Sequence, residues 1–129
     1  MAVYKTRNFS RWMRKTDLSE NILCNAVDEM KRGLIDAELG AGLVKKRVPL
    51  PGRGKSGSVR TLVATNKAGR WIFLFGFQKN ERDNISLPEL EALKSYAHDL
   101  LHLTVPQLAL LMNSGALQEI CHEEKDQNQ

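Results

Sequence analysis

The sequence predicts a single domain of the α+β class. Segments 43–48, 59–65 and 71–77 have the length of strands and are rich in β-branched, aliphatic and aromatic residues. Segments 19–33 and 86–102 carry apolar residues at helical spacing, and each begins with a residue that can cap a helix. A group of strands with helices before and after it is the element order of an α+β domain.

The composition is that of one globular domain. The chain has 129 residues, of which 42% are hydrophobic and 26% charged, and a chain of this length normally has one core. No apolar run approaches the roughly 20 residues of a membrane-spanning helix, and the basic N-terminus lacks a signal-peptide core. We therefore expect a cytoplasmic protein with no membrane partner. Cys24 and Cys121 form neither a CxxC pair nor a metal-ligand pair, so we expect Cys24 to be a small core residue.

The N-terminal third predicts a short strand and two helical segments. Residues 2–6 have a strand pattern, and Phe9 and Trp12 belong to an apolar set at helical spacing. Ser19 can cap a longer amphipathic helix, and Gly33 suits the left-handed position after its last turn.

The strand at 43–48 carries positive charge on one face. Because side chains alternate along a strand, Lys45 and Arg47 lie on one face and Lys46 lies on the other. The two cations of the first face are therefore predicted to project side by side.

A hairpin is predicted next, from 59–65 through the turn at 66–69 to 71–77. Its second strand is apolar on both faces, so we expect it to be central, with neighbours on both edges and cover on both sides. Phe75 and Phe77 on this strand can either pack in the core or stack on a base.

Two capped helices complete the pattern. Ser86 and Glu89 form a capping box that starts one helix, and Thr104 repeats the arrangement for a shorter helix that ends near Gly115. The acidic residues 123–129 are expected to be a disordered tail.

The segment 45–60 is the strongest functional signal in the chain. It has no acidic residue and contains a glycine-rich loop at 51–58. Cations on a strand and on a flexible loop can grip a polyanionic backbone closely, so nucleic acid is the expected partner. The cations of the segment are Lys45, Lys46, Arg47, Arg53, Lys55 and Arg60.

Other common kinds of site fit poorly. The Gly54-Lys55-Ser56 run lacks the spacing of a phosphate-binding P-loop and precedes a strand rather than a helix. His98 and His102 have helical spacing, but the sequence offers no third metal ligand. No serine has the setting of a hydrolase nucleophile.

A set of cations can cleave RNA without a metal. Arginine suits the developing phosphorane, because its planar fork donates to two oxygens and stays charged. A lysine whose pKa is lowered by neighbouring cations can transfer protons near neutral pH. The chain has such cations together with Lys79 and Glu81 at the end of the central strand.

The order of these parts resembles the RelE/ParE superfamily of bacterial toxins, and is most similar to its HigB-like branch. The motifs are the basic strand 42–48, the Gly-Arg-Gly-Lys-Ser-Gly loop, the strand with Arg60, and the 79–82 segment before a helix. The likeness covers about residues 3–103. It implies a RelE-like fold, with a small antiparallel sheet packed on one face by helices. We expect a single domain of this kind over 1–122, in which residues 104–120 form a helical extension past the usual fold and either cover an edge of the sheet or contact the antitoxin.

The resemblance also implies an activity and partners. It implies cleavage of messenger RNA in the A site of the 30S ribosomal subunit, with no metal or cofactor, and a cognate antitoxin that silences the toxin. Arg60 matches the arginine at the scissile phosphate, and Lys45, Arg47 and Lys79 match further basic positions. The implied catalytic residues are Arg60, Lys45, Arg47, Lys79 and Glu81, and the implied RNA contacts are Lys46, Arg53, Lys55 and Arg82.

Two departures from the family pattern leave the proton-transfer roles open. RelE-type relatives have an arginine where this chain has Asn80 and a tyrosine near Ser86. Lys55, Lys79 and Glu81 are the alternatives for these roles. A ParE-like gyrase poison and a non-catalytic nucleic-acid-binding module are the alternative functions.

Overall fold

The computed structural model describes residues 2–52 and 57–122. Within these ranges the chain forms six strands and four helices, which confirms the α+β class. Their order is β1 (Ala2–Thr6), α1 (Arg7–Met13), α2 (Glu20–Lys31), β2 (Ala37–Gly40), β3 (Leu43–Pro49), β4 (Ser58–Thr65), β5 (Arg70–Gln78), α3 (Leu87–Leu101), α4 (Val105–Asn113) and β6 (Leu117–Ile120).

The six strands form one mixed sheet with the order β2-β3-β4-β5-β1-β6. The consecutive strands β2 to β5 pair antiparallel, and β6 pairs antiparallel with β1. The pair β1 and β5 is parallel, so the sheet is not wholly antiparallel as the sequence predicted. Both strands had been recognised individually, but a strand pattern carries no information about the direction of its neighbour.

Helices cover both faces of the sheet. One core cluster joins residues of α1 and α2 to side chains such as Val63 and Phe73. The other joins residues of α3 and α4 to the alternating side chains of the same strands, such as Leu62 and Ile72. The prediction of helices on one face was therefore wrong. The physical reason is that β5 is apolar on both faces. Both of its faces must therefore be covered by helices, just as the sequence pattern of this strand indicated.

The helix boundaries follow the capping signals. Ser19 Oγ accepts a hydrogen bond from the Ile22 backbone N–H at 3.3 Å, and Gly33 adopts a positive φ of 93° just after α2. Both Ser86 with Glu89 and Thr104 with Gln107 form reciprocal capping boxes. These local predictions are confirmed.

Arg70 fixes the far end of α3. Its Nη1 donates to the carbonyls of Leu100 at 3.0 Å and Leu103 at 2.9 Å. A charged donor satisfies carbonyls that the end of a helix leaves without partners. Arg70 therefore has a structural role: it joins the end of α3 to β5.

The C-terminal extension is only partly helical. The helix α4 ends at Asn113, Gly115 has a φ of 84°, and residues 117–120 form β6 against β1. The predicted helical extension to residue 120 is therefore wrong over its last part. Leu117 and Ile120 enter the two different core clusters, so this short strand lacks the simple alternation that marks a strand in sequence. The strand β6 completes the edge of the sheet.

Cys24 and Cys121 form a disulfide, with their Cα atoms 5.6 Å apart and a sequence separation of 97. The bond ties α2 to the residue that follows β6. Cys24 is thus not the free core residue that the sequence predicted. Among the helices in the described ranges, none has the length and apolar character needed to cross a bilayer.

Candidate nucleic-acid interface

Three cations lie side by side on the face of the sheet toward α3. Arg47 on β3 is directly opposite Arg60 on β4, and Arg60 is in turn opposite Phe77 on β5. Lys45 lies two residues before Arg47 and therefore on the same face. Directly opposite side chains have Cβ atoms about 4.5–5.5 Å apart, so these positive groups are concentrated in one small area.

The side chains of these cations make no ion pair or hydrogen bond within the described part of the chain, 2–52 and 57–122, and the same holds for Lys79. An acidic group does lie close to them: the Asp36 carboxylate accepts the backbone N–H of Arg47 at 2.5 Å, and not its guanidinium. Like charges this close repel one another and destabilise the folded chain. The arrangement is accordingly suited to an external anion, which would remove the repulsion.

Lys46 is the opposite case. It lies on the other face of β3, only 7% exposed, where its Nζ is 2.8 Å from Glu29 Oε1 and donates to the Leu34 carbonyl at 2.9 Å. A buried cation that is paired in this way joins α2 to the sheet. The geometry does not support its predicted contact with RNA, and we leave Lys46 out of the proposed interface.

The turn after β5 presents Lys79 and Glu81 at the surface. The Glu81 carboxylate accepts a hydrogen bond from the Gln78 backbone N–H at 3.0 Å, so it also stabilises the turn. Both residues follow directly after the strand that carries Phe77. They are therefore near the Arg60 end of the cationic face, although neither belongs to its register.

Arg82 is held in place by α3. Its Nη1 is 2.5 Å from Glu89 Oε1, and its guanidinium carbon lies 5.7 Å from the centre of the Phe75 ring. The same Glu89 oxygen accepts the Ser86 backbone N–H of the capping box at 2.9 Å. Arg82 can still offer its other N–H groups to a ligand, but its charge is largely matched by Glu89.

The ion pair between Arg82 and Glu89 should make the stability of the folded chain depend on pH. The hydrogen bond from Arg82, followed by the one from the Ser86 backbone, lowers the pKa of Glu89 from 4.5 to about 2. A lowered pKa means that ionised Glu89 stabilises the fold above pH 4.5, and that this contribution disappears as the pH falls through about 2. In urea unfolding we expect Glu89→Gln to be less stable than wild type at pH 6, and the gap to close toward pH 2.

Glu91→Gln is the matched control, because Glu91 is exposed on the same helix and its ion pair is longer, at 3.8 Å from Lys94. At pH 6 the stability of Glu91→Gln in urea should differ from that of wild type by less than the stability of Glu89→Gln does. A Glu89→Gln gap of equal size at pH 6 and pH 2 would contradict the assignment.

The two phenylalanines near the cations differ in exposure. Phe77 is buried, whereas Phe75 is partly exposed, and their ring centres are 6.2 Å apart. Between them, Gly76 allows α1 to approach: a Cβ at this position would lie 2.3 Å from a ring carbon of Trp12. Because it is buried, Phe77 packs in the core. Phe75 is the ring that remains partly exposed, with the Arg82 guanidinium over it.

The other residues that the sequence singled out are two loop cations, the acidic tail and two histidines. Arg53 and Lys55 lie outside the described residues, as does the acidic tail 123–129, and what was predicted of them stays a prediction. His98 and His102 stack at the surface with ring centres 4.2 Å apart. Within the described ranges, no group of three or more histidine, cysteine, aspartate or glutamate residues is arranged to hold a metal ion.

Comparison with known families agrees with this geometry. The family model described as the RelE toxin of the RelE/RelB toxin–antitoxin system matches residues 1–120. No individual curated protein matches the chain. The family match includes all six strands and four helices and reaches the end of β6. The chain therefore belongs to the RelE toxin family.

Proposed function

We propose that this toxin is a ribosome-dependent, metal-independent endonuclease that cleaves messenger RNA in the A site of the 30S subunit. Family membership makes the chain the toxin of a toxin–antitoxin system, with an antitoxin as its partner. The observation that carries the proposal is the group formed by Lys45, Arg47 and Arg60, whose side chains share one face and make no ion pair or hydrogen bond with the described residues. Similarity to the HigB-like branch and action in the cytoplasm belong to the same proposal.

The cations would act on the charge that develops during cleavage. The RNA 2′-oxygen attacks the adjacent phosphorus, the new bond forms as the bond to the 5′-oxygen breaks, and negative charge accumulates on the two other phosphoryl oxygens. Arg60 and Arg47 can each direct a planar pair of donors at those oxygens. Lys45 adds a third positive charge beside them. All three lie on paired strands, which fix the positions of their backbones relative to one another.

Two proton transfers complete the reaction. One group takes the proton of the 2′-hydroxyl, and another gives a proton to the departing 5′-oxygen. Glu81 and Lys79 are exposed in the turn after β5, where Glu81 can accept one proton and Lys79 can donate the other. Lys55, which the sequence also suggested, is outside the described residues.

The test is to induce the chain in growing bacteria and to map new 5′ ends of messenger RNA. A reporter message whose start codon has been removed serves as the control, and plasmid supercoiling is measured in the same cells. We expect new ends inside the translated reporter and none in the untranslated one. Altered supercoiling without new ends would indicate a ParE-like gyrase poison, and neither effect would indicate a non-catalytic module.

A further inference from the structure

A positively charged cavity lies at the end of β1, two strands away from the strand that carries Arg60. It has a volume of about 300 Å³ and opens between α1 and α3 at the end of β1. Thr6, the last residue of β1, donates from Oγ1 to the Leu74 carbonyl of β5 at 3.5 Å, one residue before Phe75. The cavity is lined by Thr6, Arg7, Asn8, Arg11, Tyr96 and Ala116.

Two arginines supply the charge of this cavity. Arg7 and Arg11 are four residues apart on α1, so they lie on the same side of the helix. Arg7 is fixed by two neutral acceptors, the carbonyls of Ser114 at 2.9 Å and Gly115 at 3.3 Å. Arg11 has no ion pair or side-chain hydrogen bond with the described residues, and no carboxylate lines the cavity. The positive charge of both arginines is therefore available to a ligand.

Tyr96 and Asn8 give the cavity a second kind of chemistry. Tyr96 is 42% exposed although its ring lines the cavity, and such a ring can stack on a nucleobase. Partial burial raises the pKa of the Tyr96 hydroxyl further above neutral pH, and this hydroxyl can donate to a ligand. The Asn8 amide can both donate and accept. Together with the arginines, these groups match a nucleotide, which has a phosphate and a base.

The position of the cavity connects it to the proposed interface. The strands that carry Arg60, Phe75 and Thr6 are successive neighbours in the sheet. Arg60 is opposite Phe77 and Thr6 is level with Leu74, so the two positions are separated by two interstrand spacings and by three residues along the strands. Together these amount to about 14 Å, a distance that a few nucleotides of single-stranded RNA cover. A strand of RNA that crosses the sheet from Arg60 past the exposed part of Phe75 would next reach the cavity at the end of β1.

We propose that this cavity is an additional RNA subsite, which binds one phosphate at Arg7 and Arg11 and stacks one base on Tyr96. The proposal rests on the proposed function, because it extends the path of the same RNA strand. It assigns roles to residues of α1 and α3 that lie away from the reacting phosphate, so the subsite contributes to binding and to the position of the strand.

The test measures the binding of a fluorescent ten-nucleotide single-stranded RNA to the purified chain at several salt concentrations. We expect Arg11→Ala to weaken binding about tenfold and to reduce the slope of log affinity against log salt by about 0.7, the value for one lost phosphate contact. Tyr96→Leu should weaken binding about tenfold with an unchanged slope, because stacking involves no counterion. Arg14→Ala is the matched control: it removes the same charge from the end of the same helix but lies outside the cavity.

The variant Arg60→Ala separates the two proposals. If Arg60→Ala weakens RNA binding but Arg11→Ala behaves as Arg14→Ala does, the subsite is rejected and the proposed function stands. If wild type shows no salt-dependent RNA binding, the subsite is rejected, and the proposed function is judged by the mapping of messenger RNA ends in cells. If Arg11→Ala loses antitoxin binding and keeps RNA binding, the cavity belongs to the protein partner and the subsite is rejected. Thermal unfolding of each variant verifies that the domain is folded.

Discussion

Arg60→Ala should reduce messenger RNA cleavage by about 10²–10³-fold, the effect of removing one donor to a developing oxyanion. Arg60 is the middle residue of the row that runs from Arg47 to Phe77, so it is the cation closest to the centre of the proposed interface. Its loss would remove a planar donor pair that no neighbour can replace from the same position. In growing bacteria, induction of this variant should no longer arrest growth.

The fold should tolerate this change. Arg60 has no ion pair or side-chain hydrogen bond with the described residues, and the core contacts of β4 come from Val59, Leu62 and Val63. The urea midpoint should therefore remain within the range of a surface substitution. Relief of repulsion from Arg47 can even raise it.

Two further variants make the result specific. Arg60→Lys keeps the charge and loses the fork, so it should recover only part of the activity. Arg32→Ala removes an exposed arginine at the end of α2, away from the interface, and should cleave as wild type does. Wild-type cleavage by Arg60→Ala would reject the proposed site.

Local signals account for what could be predicted from the sequence. The capping box of Ser86 and Glu89 involves residues that are three positions apart. The placement of Lys45 and Arg47 on the same face of β3 follows from the two-residue period of a strand. Both features depend on neighbours within a few positions. The start of α3 and the charged face of β3 were therefore predicted at the right places.

What was missed depends on contacts between distant parts of the chain. The parallel pairing of β1 with β5 joins residues that are 68 positions apart, such as Ala2 and Arg70. The cavity brings together Arg11 and Tyr96, which are 85 positions apart. The basic residues of α1 were visible in sequence, but nothing local indicated that α3 would place an aromatic ring beside them. Lys46 was assigned to the correct face of β3, yet its partner Glu29 comes from a helix whose position could not be derived.

Breaking the bond between Cys24 and Cys121 should have the largest effect on stability. Their separation of 97 residues means that the disulfide restricts most of the unfolded chain. A loop of about 100 residues corresponds to about 4.7 kcal/mol in the chain-entropy model, and removal of native disulfides typically costs about 2–5 kcal/mol. We expect the Cys24→Ala/Cys121→Ala variant to lose stability in this range, measured as the free energy of unfolding in urea.

The redox state supplies an independent comparison on the unmodified chain. Adding dithiothreitol should lower the urea midpoint of wild type and leave that of the double alanine variant unchanged, because the variant has no bond to reduce. Two free thiols in the untreated protein, or equal midpoints with and without reductant, would contradict the disulfide. Since reducing compartments keep such bonds open, a toxin that acts in the cytoplasm would do so in the reduced form. The pairing of β6 with β1, together with the burial of Leu117 and Ile120, must then hold the end of the domain in place without the covalent bond.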